Sequence, residues 1–243
     1  MNPFLLPVIA AQGLYVRYST EVLPPAGGPT TGTCPDAGTS EASGTEGPQA
    51  GGQPVRIAVL GESTAAGCGV DSHDDGFAGR FARELSERSG RPVEWSVRGR
   101  HGATLRRIRY RLLPGVGSGL RVAVLLAGVN DVLARRSPRD WGQDLEAVAG
   151  ELAERAEQVV VTGVPPFGEF PSLPGTLRRY LAARAAELDE VSQRVCAGVA
   201  GVTWISSTDV LPMGPEFFAR DRFHPSAYGY GEWARIVAGK VAM

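Results

Sequence analysis

Residues 122–131 read Val-Ala-Val-Leu-Leu-Ala-Gly-Val-Asn-Asp, an aliphatic run that stops at a glycine and hands over at once to polar side chains. A strand with one wet face alternates apolar and polar residues. A run without alternation reads as a strand buried on both faces, the habit of parallel sheets. The pattern recurs on either side. Val55 to Leu60 ends in Gly61-Glu62-Ser63-Thr64, and Val93 to Val97 leads into Gly99-Arg100-His101-Gly102-Ala103-Thr104. Val159 to Thr162 and Val202 to Ile205 are two further short runs. Between them apolar residues recur at helical spacing. Phe77, Phe81 and Leu85 run up to a stop at Gly90, and Leu105, Ile108 and Leu112 form a second set. Trp141, Leu145, Val148 and Leu152 follow a Ser137-Pro138 cap. A long helix is predicted to end near Val199, and a closing one runs from about Pro225 to Val241. Strands alternating with helices in this way predict an α/β fold, a three-layer α/β/α sandwich around a flavodoxin-like five-stranded parallel sheet.

The chain has 243 residues, enough for one sizeable domain with an appendage. Its 43% hydrophobic and 21% charged content suits a packed core. A net charge of −1 offers no field to attract nucleic acid, which is not an expected partner. Cys34, Cys68 and Cys196 are odd in number and widely spaced, unlike a disulfide framework or a zinc ligand set. They favour a reducing, cytoplasmic location. Residues 1–23 form a short apolar segment whose thirteen uncharged residues, Phe4 to Val16, fall short of the roughly 20 that span a bilayer. No positive charge precedes them, so a short helix lying on the domain or an interface is favoured over a signal peptide, secretion or a membrane anchor. In residues 24–54, 14 of 31 residues are Gly or Pro and seven are Ser or Thr, which predicts a disordered linker. The catalytic domain is then expected over residues 55–243.

In an open parallel sheet the ligand site lies beyond the carboxyl ends of the strands. There this sequence sets Ser63, Gly102, Asn130 and the pair Asp221 and His224. A serine hydroxyl attacks a carbonyl only with a base in reach, and His224 is the candidate. Asp221, three residues earlier, is placed to hold the other imidazole nitrogen and stabilise the imidazolium. Donors for an oxyanion are available from the Ser63 N–H, the Gly102 N–H and the Asn130 side-chain amide.

These four blocks resemble those of the SGNH hydrolases, the GDSL-type esterase and lipase superfamily. Ser63, Gly102, Asn130 and His224 match its four namesake positions in order, and Asp221 matches the acid three before the histidine. The resemblance spans Val55 to about Val241. It implies a hydrolase cleaving carboxylic esters of small-molecule substrates by Ser63, His224 and Asp221, with no metal and no organic cofactor. The chain departs from the pattern at Glu62, where the family commonly has Asp, and at Val97, which aligns where many relatives carry Asn. A thioesterase or acyltransferase using the same groups, and a catalytically silent binding module on this fold, are the alternatives.

Other residues read more plainly. Asp131 is expected to brace its loop, His101 to be a surface or substrate-rim residue, and Cys68 to be buried packing. Asp71, His73, Asp74 and Asp75 are consecutive residues on one loop, poor geometry for a metal. The apolar loop after the fourth parallel strand is the candidate specificity element, with Phe167, Phe170 and Leu173 expected to receive a hydrophobic group of the substrate; the alternative is that Phe167 and Phe170 pack the loop onto the domain.

Overall fold

The computed structural model describes residues 5–35, 52–208 and 211–243. One sheet of six strands organises them: β1 (Thr31–Cys34), β2 (Val55–Gly61), β3 (Val93–Gly99), β4 (Leu120–Leu126), β5 (Ala156–Thr162) and β6 (Val202–Ile205), in spatial order β1-β3-β2-β4-β5-β6. The five strands β2 to β6 are mutually parallel, as expected from the sequence, and β1 adds an antiparallel edge.

Seven helices accompany the strands: α1 (Leu6–Ser19), α2 (Phe77–Ser89), α3 (Leu105–Arg111), α4 (Val129–Leu133), α5 (Pro138–Ala153), α6 (Gly175–Ala197) and α7 (Ala227–Ala238). Strand residues alternate between two cores. Val122, Val124 and Leu126 face the layer of α2 and α7, packed with Phe81 and Trp233. Ala123 and Leu125 face the layer of α3, α5 and α6, packed with Ile108, Leu145 and Leu188. The continuous aliphatic run of β4 follows from this, because both of its faces are covered. Ser137 caps α5 by accepting the Asp140 N–H, with Pro138 in the first turn.

The sixth strand adds an edge to the expected five-stranded parallel sheet and corrects the disordered linker over residues 24–35. Backbone groups, which composition does not register, hold that stretch to the domain. Ala26 N–H donates to the Ala66 carbonyl at 2.9 Å, Gly27 N–H to the Asp71 carbonyl at 2.9 Å, and Val97 N–H to the Thr30 carbonyl at 2.8 Å. β1 then pairs with β3 from Thr31 opposite Ser96 to Cys34 opposite Val93. Residues 36–51 of the expected linker lie outside the described residues. Upstream, α1 lies on α6, with Ile9 buried and Val16 partly so. Among the described residues no helix is long and apolar enough to cross a membrane.

A side chain at Gly32 has no room: a Cβ there would stand 2.4 Å from the indole of Trp95, which is itself buried. Gly32→Val is expected to lift β1 off the sheet edge and cost about 1–3 kcal/mol. Hydrogen exchange would read this as faster exchange of the β1 amides. Unchanged protection and stability would refute the seating of this strand.

Candidate active site

The order of the five parallel strands puts a topological switch at β2: one connection leads to β3 on one side, and the next crosses to β4 on the other. The crevice beyond the carboxyl ends at such a point is where open α/β sheets place ligands. Ser63 follows β2 by two residues, and Asn130 stands in the first turn of α4, just beyond β4.

His224 comes to Ser63 from the far end of the chain. Its Nε2 lies 3.0 Å from Ser63 Oγ, and its Nδ1 lies 2.6 Å from Asp221 Oδ2. A proton on Nδ1 serves both contacts, since Nδ1 then donates to Asp221 and Nε2 accepts from the serine hydroxyl. The other oxygen, Asp221 Oδ1, accepts the backbone N–H groups of Phe223 and His224, each at 3.0 Å. Burial alone pushes the Asp221 carboxyl up, but the bonds from the His224 ring and the two N–H groups outweigh it and hold it below the ordinary carboxylate value. The turn needs Arg222 at φ 58°, a left-handed conformation that a non-glycine residue adopts only where its surroundings enforce it. Here the Arg222 N–H donates to the Ala219 carbonyl and the Ala219 N–H to the His224 carbonyl, each at 2.8 Å. All three side-chain-bearing residues, Ser63, Asp221 and His224, are more than 90% buried.

Gly102, Asn130, Ser63 and His224 line one cleft of about 690 Å³. Gly102 adopts φ 71°, which glycine reaches without strain. Among the described residues neither the Ser63 N–H nor the Gly102 N–H donates to a backbone carbonyl. An asparagine amide carries two hydrogens, and one of those on Asn130 Nδ2 is engaged by Glu62 Oε2. The structure thus brings Ser63, Gly102, Asn130 and His224 to one cleft, with Asp221 behind the histidine.

Glu62 is the residue whose importance the sequence concealed. It is 2% exposed, and its carboxylate accepts the Val129 N–H on Oε1 and the Asn130 N–H on Oε2, each at 3.0 Å, besides the Asn130 amide. These are donors from the first turn of α4, which has no side-chain cap of its own. Burial pushes the Glu62 carboxyl up to about 7 against the lowering effect of those hydrogen bonds. Asp131 braces the neighbouring loop, accepting the Leu105 N–H at 2.7 Å at the start of α3 and facing Arg136 at 3.7 Å. Val97 is a buried apolar residue of β3.

The expected lip at Phe167 and Phe170 is corrected. Both rings are buried, stacked on each other at 5.1 Å, with Phe170 also against Phe223 at 5.0 Å and Phe218 at 5.6 Å. The apolar loop buries its own aromatics, and through Phe223 it backs the turn that carries His224. Phe167 borders no part of the cleft, and Phe170 only a hollow of about 20 Å³ beside Ser63. Leu173 does line the large cleft. The wall the sequence did not reveal comes from the N-terminal segment, where Ile9, Gly13 and Val16 reach the same cleft.

His101 stands at the rim with its ring centroid 6.1 Å from that of His224. Ligating atoms of Cys68, His101 and His224 lie within 4.8 Å of one another. Burial pushes the Cys68 thiol up to about 11, so it sits there as a neutral packing group. Asp75 pairs with Arg80 at 2.9 Å, and His73 is buried against Trp95.

The sandwich thus carries a hydrogen-bonded set of Ser63, His224 and Asp221 at its switch point. The model of the GDSL-like Lipase/Acylhydrolase family matches residues 59–231, and the chain belongs to that family. A GDSL-like esterase of Mycobacterium tuberculosis is 28% identical over 189 residues, 72% of this chain and 58% of the relative; the chain thus spans little more than half of that protein's length. Among solved structures, a lipase/acylhydrolase from Enterococcus faecalis superposes with a TM-score of 0.57 at 22% identity, covering 77% of this chain and 97% of the other. AlinE4, an SGNH-hydrolase family esterase, does so with a TM-score of 0.54 at 21% identity, over 78% and 96%. At these identities the structural likeness speaks for the fold.

Because the folded state raises the Glu62 pKa from the ordinary 4.5 to about 7, it binds this proton more tightly than the unfolded chain. The resulting stability is fully present below pH 4.5 and is lost as pH rises through 7. Glu62→Gln, which does not titrate, is expected to flatten this part of the pH dependence of urea unfolding. An identical slope in wild type and variant would place the proton uptake elsewhere.

Proposed function

We propose that this chain hydrolyses carboxylic esters through a serine nucleophile and an acyl-enzyme. The observation that carries the reading is the unbroken chain of contacts from Ser63 Oγ through the imidazole of His224 to Asp221, at the mouth of an apolar cleft. The structural set alone is common to several acyl-transfer chemistries. Membership of the GDSL-like Lipase/Acylhydrolase family and the likeness to a GDSL-like esterase favour an ester as substrate.

In this mechanism Ser63 Oγ adds to the ester carbonyl carbon as His224 Nε2 takes the hydroxyl proton. The carbonyl oxygen becomes an oxyanion, which the N–H groups of Ser63 and Gly102 and the free amide hydrogen of Asn130 are there to receive. Asp221 keeps the proton on Nδ1 and balances the imidazolium. Collapse of the tetrahedral intermediate breaks the bond to the alcohol oxygen, which departs with the proton from Nε2. Water then adds to the acyl-Ser63 carbonyl, giving a proton to His224; release of the acid returns that proton to Ser63 Oγ. The reaction is balanced without a metal or an organic cofactor.

Nitrophenyl ester hydrolysis by variants tests the roles. Ser63→Ala and His224→Ala are each expected to lower kcat by a factor on the order of 10⁶, and Asp221→Ala by about 10⁴. Loss of one oxyanion donor in Asn130→Ala is expected to cost about 10² to 10³ in kcat. Full activity of Ser63→Ala would overturn the proposal.

A further inference from the structure

The cleft at Ser63 is walled by a segment outside the part of the chain that the family model covers, residues 59–231. α1 contributes Ile9, Gly13 and Val16, which at spacings of four and three residues share one face of the helix. Leu177 and Leu181 of α6 and Val132 of α4 line the same cleft. Charged side chains enter the lining only at Arg17, Glu21 and Arg135. The volume, about 690 Å³, is that of a site for a sizeable organic molecule and far exceeds what an acetyl group needs.

α1 is fastened in place. Helix α6 begins without a side-chain cap, and Gln12 of α1 supplies one, its Oε1 accepting the otherwise orphaned Leu177 N–H at 2.8 Å. Just beyond the C-terminal end of α1, Glu21 pairs with Arg220 at 3.0 Å, on the loop that carries Asp221 and His224. Ile9 is 3% exposed. In the middle of this wall Gly13 leaves a gap, for a Cβ built there meets no atom within 4 Å. Between Ile9 and Val16 the helix thus offers the cleft bare backbone at Gly13.

We propose that α1 completes an acyl-binding cleft, so that the enzyme selects esters of extended aliphatic acids, and that Gly13 sets the length of chain accepted. The inference rests on the ester-hydrolase reading of Ser63 and adds the acyl half of the substrate to it. An aliphatic chain matches a lining of Leu, Ile and Val, and each methylene buried there contributes about fourfold to kcat/KM. A larger residue at position 13 occupies the space those methylenes need while leaving Ser63 and the oxyanion donors untouched.

The experiment is a series of nitrophenyl esters, from acetate through butyrate and octanoate to dodecanoate, on wild type, Gly13→Leu and Gly13→Phe. Labelling of Ser63 by a fluorophosphonate probe runs alongside. Wild type is expected to gain on the order of 100-fold in kcat/KM from butyrate to octanoate. Gly13→Leu should lower the octanoate-to-acetate ratio of kcat/KM at least tenfold and Gly13→Phe more, with circular dichroism and probe labelling at Ser63 showing that both variants fold. Leu is a better helix former than Gly, so a loss confined to long chains is not unwinding of α1. A flat chain-length profile in a wild type that labels at Ser63 overturns this inference and leaves the hydrolase intact, as does a profile unchanged by either substitution. Absence of labelling and of turnover on every ester overturns the hydrolase reading itself.

Discussion

The carboxyl ends of β2 and β4 are tied together at Glu62, and the geometry of the site depends on that tie. The Glu62 N–H donates to the Leu126 carbonyl at 3.0 Å while its buried carboxylate receives the first donors of α4. One residue therefore sets the separation of its neighbour Ser63 from Asn130. A buried carboxylate is costly unless its lone pairs are used, and here two backbone N–H groups and an amide use them.

A second constraint comes from the other direction in the chain. The turn from Asp221 to His224 is stapled by its own backbone bonds and backed by Phe223 against Phe170. Tyr230 of α7 donates to the Cys68 carbonyl at 2.8 Å, connecting the helix after His224 to the loop after Ser63. The N-terminal segment adds a third connection, through Ala26 to Ala66, Gly27 to Asp71 and Glu21 to Arg220. The loops carrying the nucleophile and the base are thus held by groups from both ends of the chain, which positions a serine and a histidine 161 residues apart for proton transfer.

Much of this was legible in the sequence because the relevant signals are local. Runs such as Val122 to Leu126 announce a doubly covered strand, and the residues just after each run must lie on one rim in a parallel sheet. The rest was carried by partners distant in the chain. β1 is held by backbone hydrogen bonds in a Gly- and Thr-rich stretch, which composition reads as unable to fold. Glu62 stands out in the sequence only as a departure from the family pattern, and its bonds to Val129 and Asn130 have no signature in spacing. Phe167 and Phe170 looked like a substrate lip because an apolar loop can bury its rings in itself or offer them to a ligand, and only packing decides. α1 is apolar nearly all round, so no face of it pointed to the cleft that Ile9, Gly13 and Val16 border.

The central claim is that Ser63 becomes covalently acylated, and mass spectrometry of enzyme quenched in acid during turnover of nitrophenyl octanoate tests it most directly. The account expects the octanoyl mass on the peptide that contains Ser63, and no adduct in Ser63→Ala. Turnover with no adduct at Ser63, or an adduct on another residue that persists in Ser63→Ala, would contradict it.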